Sequence, residues 1–505
     1  MKDEKESTEI KKIKKDNKNK EEDINDLINH NDNNMDVKGF NSVDEFQKKE
    51  INKIIRSKYS SRLLSFTDGL SEISHLAISY YFKDSLKLSP SQSSFYRSLI
   101  SFPFIFQPLF GLISDLFPIF GYKRRIYLII GGGFNFILWS FLSFINSSQF
   151  LAIIILLIIS LNNTFINACS GGILVEVSEK LTFNDKKLER YNSSSIYKHV
   201  GMIISCVFRG IVIEIFGVKT IFIMAGGLSL FNVIAGAIYS ETKAGNKEDH
   251  NYQALKNTVD EENNQEKKVN FFSILNNKNL LIPLILVLFF SSSPSYFESS
   301  FYYLTDVKSF NPRNFGQLTI CMMIFMLSTS IVYKVYLKSL DRKKVIFWAS
   351  TISFCSSCFF NIYLTFNLTS KIIVFISISS YVSIKTICSK PMLDIAFLSC
   401  PKEFGGSVMG LFESALSFGK TISTFLGSVL TMFFKVEKSD YSNFNLMIFV
   451  HNIISLLSLL GLLLIDDEIL SLKGNKKIFN NKEKPVEIDV DIYNEKTSLK
   501  EINTI

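Results

Sequence analysis

The 505 residues contain no Walker loop, no G-x-G-x-x-G after a strand pattern, no H-E-x-x-H and no G-x-S-x-G. These absences remove a phosphate-cradling loop, a dinucleotide fold, zinc-assisted hydrolysis and a serine nucleophile elbow. A membrane-bound enzyme is therefore the weaker reading. The first 50 residues hold no apolar h-region, so no secretory signal peptide is expected. Seven cysteines (Cys169, Cys206, Cys321, Cys355, Cys358, Cys388, Cys400) lie in or beside apolar stretches. Cys355 and Cys358 form a C-x-x-C, but inside an apolar helix that spacing reads as packing, not zinc or redox chemistry. Neither sign of charge dominates: 55 Lys and Arg stand against 47 Asp and Glu, for a net +8. The basic residues sit among acidic ones in polar segments. That pattern sets membrane topology or touches anionic lipid, and no nucleic-acid partner is expected.

Charge is also missing from long stretches. The mean hydropathy is +0.20 although 20% of residues are charged, so the charge must be segregated. Residues 1–60, 241–278 and 466–505 are rich in Lys, Asn, Asp and Glu. They bury too little apolar surface to offset ordering entropy and read as disordered or loosely helical: a disordered N-terminus, a linker and a disordered tail. The apolar residues fall in two blocks, 61–240 and 279–465. Runs such as IYLIIGGGFNFILWSFLSFI (126–145) and LMIFVHNIISLLSLLGLLLI (446–465) have the ~20 residues that cross hydrocarbon, without a polar face. Each block holds roughly six such runs, about twelve in all. The expected fold is an all-α membrane protein of two six-helix bundles.

Lys and Arg cluster in GYKRRIY (121–127), SEKLTFNDKKLER (178–190) and YLKSLDRKK (336–344), on the side of the N-terminus by span counting. Alternate connections such as INSSQ (145–149) and TFNLTSK (365–371) are short and nearly uncharged, while Lys83, Lys87, Lys308 and Arg313 lie on the far side and run against the rule. Both termini are therefore expected in the cytosol.

YYFKDSLKLSP (80–90) and YYLTDVKSFNP (302–312) share two tyrosines, an aspartate and a proline at an offset of 222 residues. The same offset sets Lys198 opposite Lys420. Matching positions in two blocks predict parallel internal repeats; the alternative is chance recurrence of interfacial tyrosines and a turn proline. A second stretch, GLISDLFPIFGYKRR (111–125), carries Gly111, Asp115, a turn at Gly121, and Lys123, Arg124 and Arg125. An aspartate at a helix end facing a basic loop can latch neighbouring helices. The alternative, a topology anchor, explains the arginines but neither Gly111 nor Asp115. This stretch resembles the loop signature of the major facilitator superfamily.

The resemblance narrows further. FPFIFQPLFGLISDLFPIFGYKRRIYLI (102–129), YYFKDSLKLSP and FLSCPKEFGGSVMGLFESALSFGKTISTFLG (397–427) resemble the conserved stretches of folate–biopterin transporters. Gln107 replaces that family's usual lysine, Asn167 and Gly171 stand where its members often carry acids, and Gly405–Gly406 interrupt the C-P-x-x-x-E-G-T pattern. The resemblance implies secondary transport of a folate, pterin or related organic anion by alternating access, with the proton as coupling ion and no cofactor.

Ionisable groups inside spans are costly and read as functional. Asp68, Glu72 and His75 are spaced i, i+4, i+7 on one face of the first span, toward a cavity or a structural polar network. Glu298 falls level with His75 through the repeat and is expected in the same cavity. Lys385, mid-span in the tenth helix, is the best partner for a substrate carboxylate. Arg209 and Lys420 come next, though Arg209 could pair with Glu214 or reach outward. Lys390 and Asp394 are spaced to satisfy each other. Asn163 and Asn167 on the fourth span complete the set. The expected partners are a small organic anion and the bilayer, with no obligate protein partner and no metal; the expected location is the plasma membrane. Transport of a sugar or nucleoside, or a receptor or scaffold role, are the alternatives.

Overall fold

Ser89–Pro90 and Asn311–Pro312 each join a side-chain acceptor to a residue with no N–H, a combination that opens helices. In the computed structural model of the chain both do so. Ser89 Oγ accepts from Gln92 N at 3.2 Å, and Gln92 Oε1 accepts from Ser89 N at 3.0 Å. Asn311 Oδ1 accepts from Asn314 N at 3.0 Å, and Asn314 Oδ1 accepts from Asn311 N at 3.4 Å. Just before them Lys87 and Ser309 hold left-handed φ angles of 57° and 53°. The Tyr81 ring meets Phe222 at 5.2 Å, and the Tyr303 ring meets Phe444 at 4.6 Å. Every one of these pairs is related by 222 residues. The repeat is written into the backbone as well as the side chains.

The structure describes residues 37–145, 148–180, 187–241, 243, 278–392, 405–438 and 440–457. In chain order the N-terminal half comprises α1 (Val37–Ser71), α2 (Ile73–Tyr80), α3 (Pro90–Ser101), α4 (Gln107–Leu116), α5 (Arg125–Phe144), α6 (Gln149–Lys180), α7 (Lys187–Phe216) and α8 (Val218–Ile238). The C-terminal half comprises α9 (Lys278–Ser291), α10 (Phe297–Asp306), α11 (Pro312–Val332), α12 (Arg342–Thr365), α13 (Lys371–Ile387), α14 (Gly405–Phe433) and α15 (Phe444–Leu457). Eight helical stretches are long and apolar enough to cross a membrane by length and composition. With α1–α2, α9–α10, α14 and α15 the order is consistent with twelve segments. Large apolar side chains such as Phe144, Trp348 and Phe359 point outward, as a lipid-facing belt does.

Helix α1 begins at Val37, within the stretch 1–60 expected to be disordered or loosely helical. Near the end of that stretch Ser57, Ser60 and Ser61 are buried, and Ser60 Oγ donates to Ala235 O on α8 at 2.8 Å. Small side chains let this charged stretch lie against its neighbour, a signal that hydropathy does not register. The tail at 466–505 and most of 241–278 lie outside the described residues.

Two ends can be told apart: one where α1 begins, and an opposite end carrying the α2–α3 and α10–α11 loops. At the opposite end α3 packs on α14 and α7 on α11, joining the halves. Gly210 makes the second contact possible, since a Cβ there would stand 2.7 Å from Pro312 O.

Candidate functional site

The first and seventh segments are both broken. A turn at Glu72 separates α1 from α2, and residues 292–296 separate α9 from α10. A broken helix inside a bundle exposes carbonyls that need donors. Arg209 Nη1 donates to Glu72 O at 3.2 Å. Its repeat-related counterpart, Pro294 O, is held by His451 Nε2. The second break is also stitched by Ser423, whose Oγ donates to Ser293 O at 2.6 Å and whose O accepts from Ser295 N at 2.9 Å. Gly427 lets α14 approach, because a Cβ there would lie 1.9 Å from Ser295 O.

A cavity of about 380 Å³ opens beside this second break, walled by α9 to α15. Tyr296, Tyr381, Lys385, Lys420 and Asn452 line it. Lys385 Nζ donates to Ser293 Oγ at 2.5 Å and lies 5.7 Å from the Tyr381 ring centre. Neither lysine has a carboxylate within ion-pair distance among the described residues.

The first break carries acids instead. Glu72 pairs with His75 at 3.4 Å, and Asp68 pairs with Lys198 of α7 at 2.6 Å. His75 keeps 60% of its side-chain surface accessible. Lys198, Arg209 and Lys420 all lie within electrostatic reach of Glu72, so the two halves sense each other's charge here. Arg209 is buried and does not pair with Glu214, which pairs with Arg313 at 3.4 Å. It reaches Thr319 of the other half.

Glu298 is 3% exposed and accepts from Arg97 Nε at 3.0 Å and Ser79 Oγ at 3.2 Å. Arg97 Nη2 also donates to His75 O at 3.1 Å. Glu298 therefore does converge with the His75 region, but through Arg97, and it makes no contact with Lys385. Sequence reasoning missed Arg97 and His451, although each is an ionisable residue inside an apolar run and the same cost argument applied. Asn163 is engaged elsewhere: its Oδ1 accepts from Asn135 Nδ2 at 2.6 Å, in a network joining α5 and α6. Asn167 is half-buried one turn farther along α6. The Lys390–Asp394 pair cannot be placed, because Asp394 lies outside the described residues.

At the α1 end, Arg124 Nη2 meets Asp115 Oδ1 at 3.0 Å, and its Nη1 meets Glu176 Oε2 at 3.0 Å. The Glu241 carboxylate accepts from the backbone N–H groups of Lys123, Arg124 and Arg125, capping α5 with an anion. Gly121 takes a φ of 83° in the turn between, a conformation that favours glycine. Gly111 has nothing near its missing Cβ. Glu176 and Glu241 were not singled out in the sequence. At the opposite end Lys83 pairs with Asp306 at 2.5 Å, Lys438 Nζ donates to Lys83 O, and Tyr302 OH donates to Leu88 O at 2.9 Å. These contacts seal the halves together on that side.

The BT1 family model matches residues 68–483. The chain belongs to the BT1 family. It is similar to the folate–biopterin transporter of Synechocystis, at 26% identity over 79% of this chain and 80% of that one. It is likewise similar to folate transporter 2 of Plasmodium falciparum, at 27% identity over 79% and 85%. Among solved structures, the nucleoside transporter NupG aligns with a TM-score of 0.59 at 12% identity, covering 81% of this chain and 99% of that one. A D-xylose–proton symporter aligns with a TM-score of 0.59 at 12% identity, over 84% and 99%. At that identity the likeness concerns the fold alone. The fold is of the major facilitator type, and the chain is a multi-pass membrane transporter, not an enzyme.

Proposed function

We propose that this chain is a secondary active transporter that carries a folate, pterin or related organic anion in symport with protons, by alternating access. The observation that carries the reading is the cavity beside the second break, with Lys385 and Lys420 lining it and, among the described residues, no carboxylate within ion-pair distance of either. Its volume lies in the range of roughly 300–1,000 Å³ that small-molecule sites occupy. The named relatives supply the substrate class.

In this reading the lysines hold the carboxylate of the substrate. Glu72 lies within electrostatic reach of Lys420, so a proton on Glu72 leaves the positive charge of Lys420 to the substrate. Proton and anion then favour each other's binding without touching, and the coupling is reciprocal. Arg209 sits under the Glu72 carbonyl as a further cation for the cycle. In this reading the α1 end, with its basic loops, is cytosolic, and the sealed layer around Lys83 and Asp306 is the outer gate. The Asp115–Arg124 pair is the latch on the cytosolic side. The plasma membrane is the proposed location, checked by surface biotinylation of the native protein.

The test is uptake of labelled folate, pterin and p-aminobenzoate into proteoliposomes, with and without an inward pH gradient. Uptake of at least one should accelerate with the gradient, Lys385→Ala should lose it, and Glu72→Gln should retain exchange while ignoring the gradient. Failure to take up any of the three overturns the reading.

A further inference from the structure

Asn452 of α15 lies in the cavity wall with 1% of its surface exposed. Its Oδ1 accepts from Ser357 Oγ at 2.5 Å and stands 3.2 Å from His451 Nδ1, while its Nδ2 has no partner among the described residues. His451 Nε2 faces the Pro294 carbonyl, so that nitrogen carries the hydrogen. A charged ring would donate from Nδ1 to Oδ1 as well, leaving the Asn452 NH2 spare. A neutral ring leaves Nδ1 as an acceptor, and the amide turns over to donate to it, leaving the oxygen spare. In either setting one polar atom of a buried amide remains unpaired. Buried polar groups are rarely left so without a purpose.

The surroundings say what would pair with it. Tyr296 and Tyr381 both line the cavity, with ring centres 5.5 Å apart at 30°, and the His451 ring meets Tyr296 edge-on at 4.6 Å. Lys385 Nζ is one ring away, 5.7 Å from the centre of Tyr381. Two tyrosine rings, a buried amide with an unpaired atom and an ammonium in the lining of one cavity match a flat ligand with a hydrogen-bonding edge and a carboxylate. We propose that Asn452 is a specificity-determining residue that reads the hydrogen-bonding edge of a flat heteroaromatic ring whose carboxylate is held by Lys385. This rests on the proposed function, since it assigns a further contact in the same cavity. A site built to hydrogen-bond a ligand discriminates strongly against an analogue that lacks the partner, because the site's own polar atom is then left unpaired.

The experiment uses the purified full-length protein and two flat bicyclic carboxylates, pterin-6-carboxylate and 2-naphthoate, titrated by calorimetry. The unmodified protein should bind the pterin at least about tenfold more tightly. Asn452→Leu should bring the two within about twofold of each other by weakening the pterin alone, and Lys385→Ala should weaken both. If Asn452→Leu does not fold, Asn452→Ser keeps a hydroxyl near Ser357, loses the reach into the cavity and should collapse the same ratio. Equal binding of the two ligands by the unmodified protein, or an undiminished preference in a folded Asn452 variant, overturns the inference and leaves anion transport standing. Absence of binding by either ligand to the unmodified protein overturns both.

Discussion

The breaks at Glu72 and Pro294 occupy the same place in the two halves and are held by different chemistry. At the first, an arginine covers the exposed carbonyl, and the acids Asp68 and Glu72 sit beside it in pairs with Lys198 and His75. At the second, a histidine covers the carbonyl, serines stitch the strand of chain, and the charges are lysines facing a cavity. Duplication kept the geometry while the charges diverged. At the first break the acids are paired with cations of the same half, whereas at the second Lys385 and Lys420 line a cavity.

The strongest way to break that comparison is to cut the bridge between the two breaks. Arg97 ties Ser79 and the His75 carbonyl of α2 to Glu298 of α10. Arg97→Ala strands a buried carboxylate and should cost about 3–5 kcal/mol, seen as a large fall in the melting temperature of the purified protein. Adding Glu298→Gln should restore most of it. If the single variant melts like the parent, the bridge carries no weight.

The repeat-related lysines sharpen the comparison next. Lys198 is held by Asp68, whereas Lys420 faces the cavity. Lys420→Ala should weaken folate binding by about tenfold or more, as loss of a charged contact of ~1.5–3 kcal/mol implies. Lys198→Ala should change it by less than about threefold, since a partly exposed pair contributes ~0–1 kcal/mol. Equal effects would erase the distinction between the halves.

A smaller effect is expected at the seam. Gly210→Val places side-chain carbon against Pro312 O, and such overpacking costs about 1–3 kcal/mol in the closed arrangement of that end. Cysteine labelling at the opposite end should rise while substrate affinity holds. The smallest belongs to Asp115→Asn. Its pair with Arg124 is about half exposed on the aspartate side, and exposed pairs contribute ~0.2–1 kcal/mol. Turnover should fall a few-fold with binding unchanged; unchanged turnover would leave the basic loop a topological role alone.

The repeat was legible because Tyr81, Pro90, Tyr303 and Pro312 are residues whose local chemistry fixes local geometry, at caps and ring contacts. The breaks were not. Hydropathy marks the apolar run at Leu281–Ser291 but not the change of chain path after it, which SSSPS (291–295) with its proline brings about. Asp68, Glu72, His75, Lys385 and Lys420 were legible because charge inside a span is rare. Their partners were not, because Arg97, Thr319 and Ser293 come from segments whose approach depends on tertiary packing. Asn163 looked like Asn167 in sequence; only the neighbouring Asn135 on α5 distinguishes them.

Calorimetric titration of folate into the purified protein, with Lys385 intact and as Lys385→Ala, bears most directly on where the anion binds. A cavity site predicts one folate per chain and a loss of roughly 10–100-fold in affinity when the ammonium is removed. Binding that is unchanged in a folded Lys385→Ala protein would place the anion elsewhere and contradict the assignment.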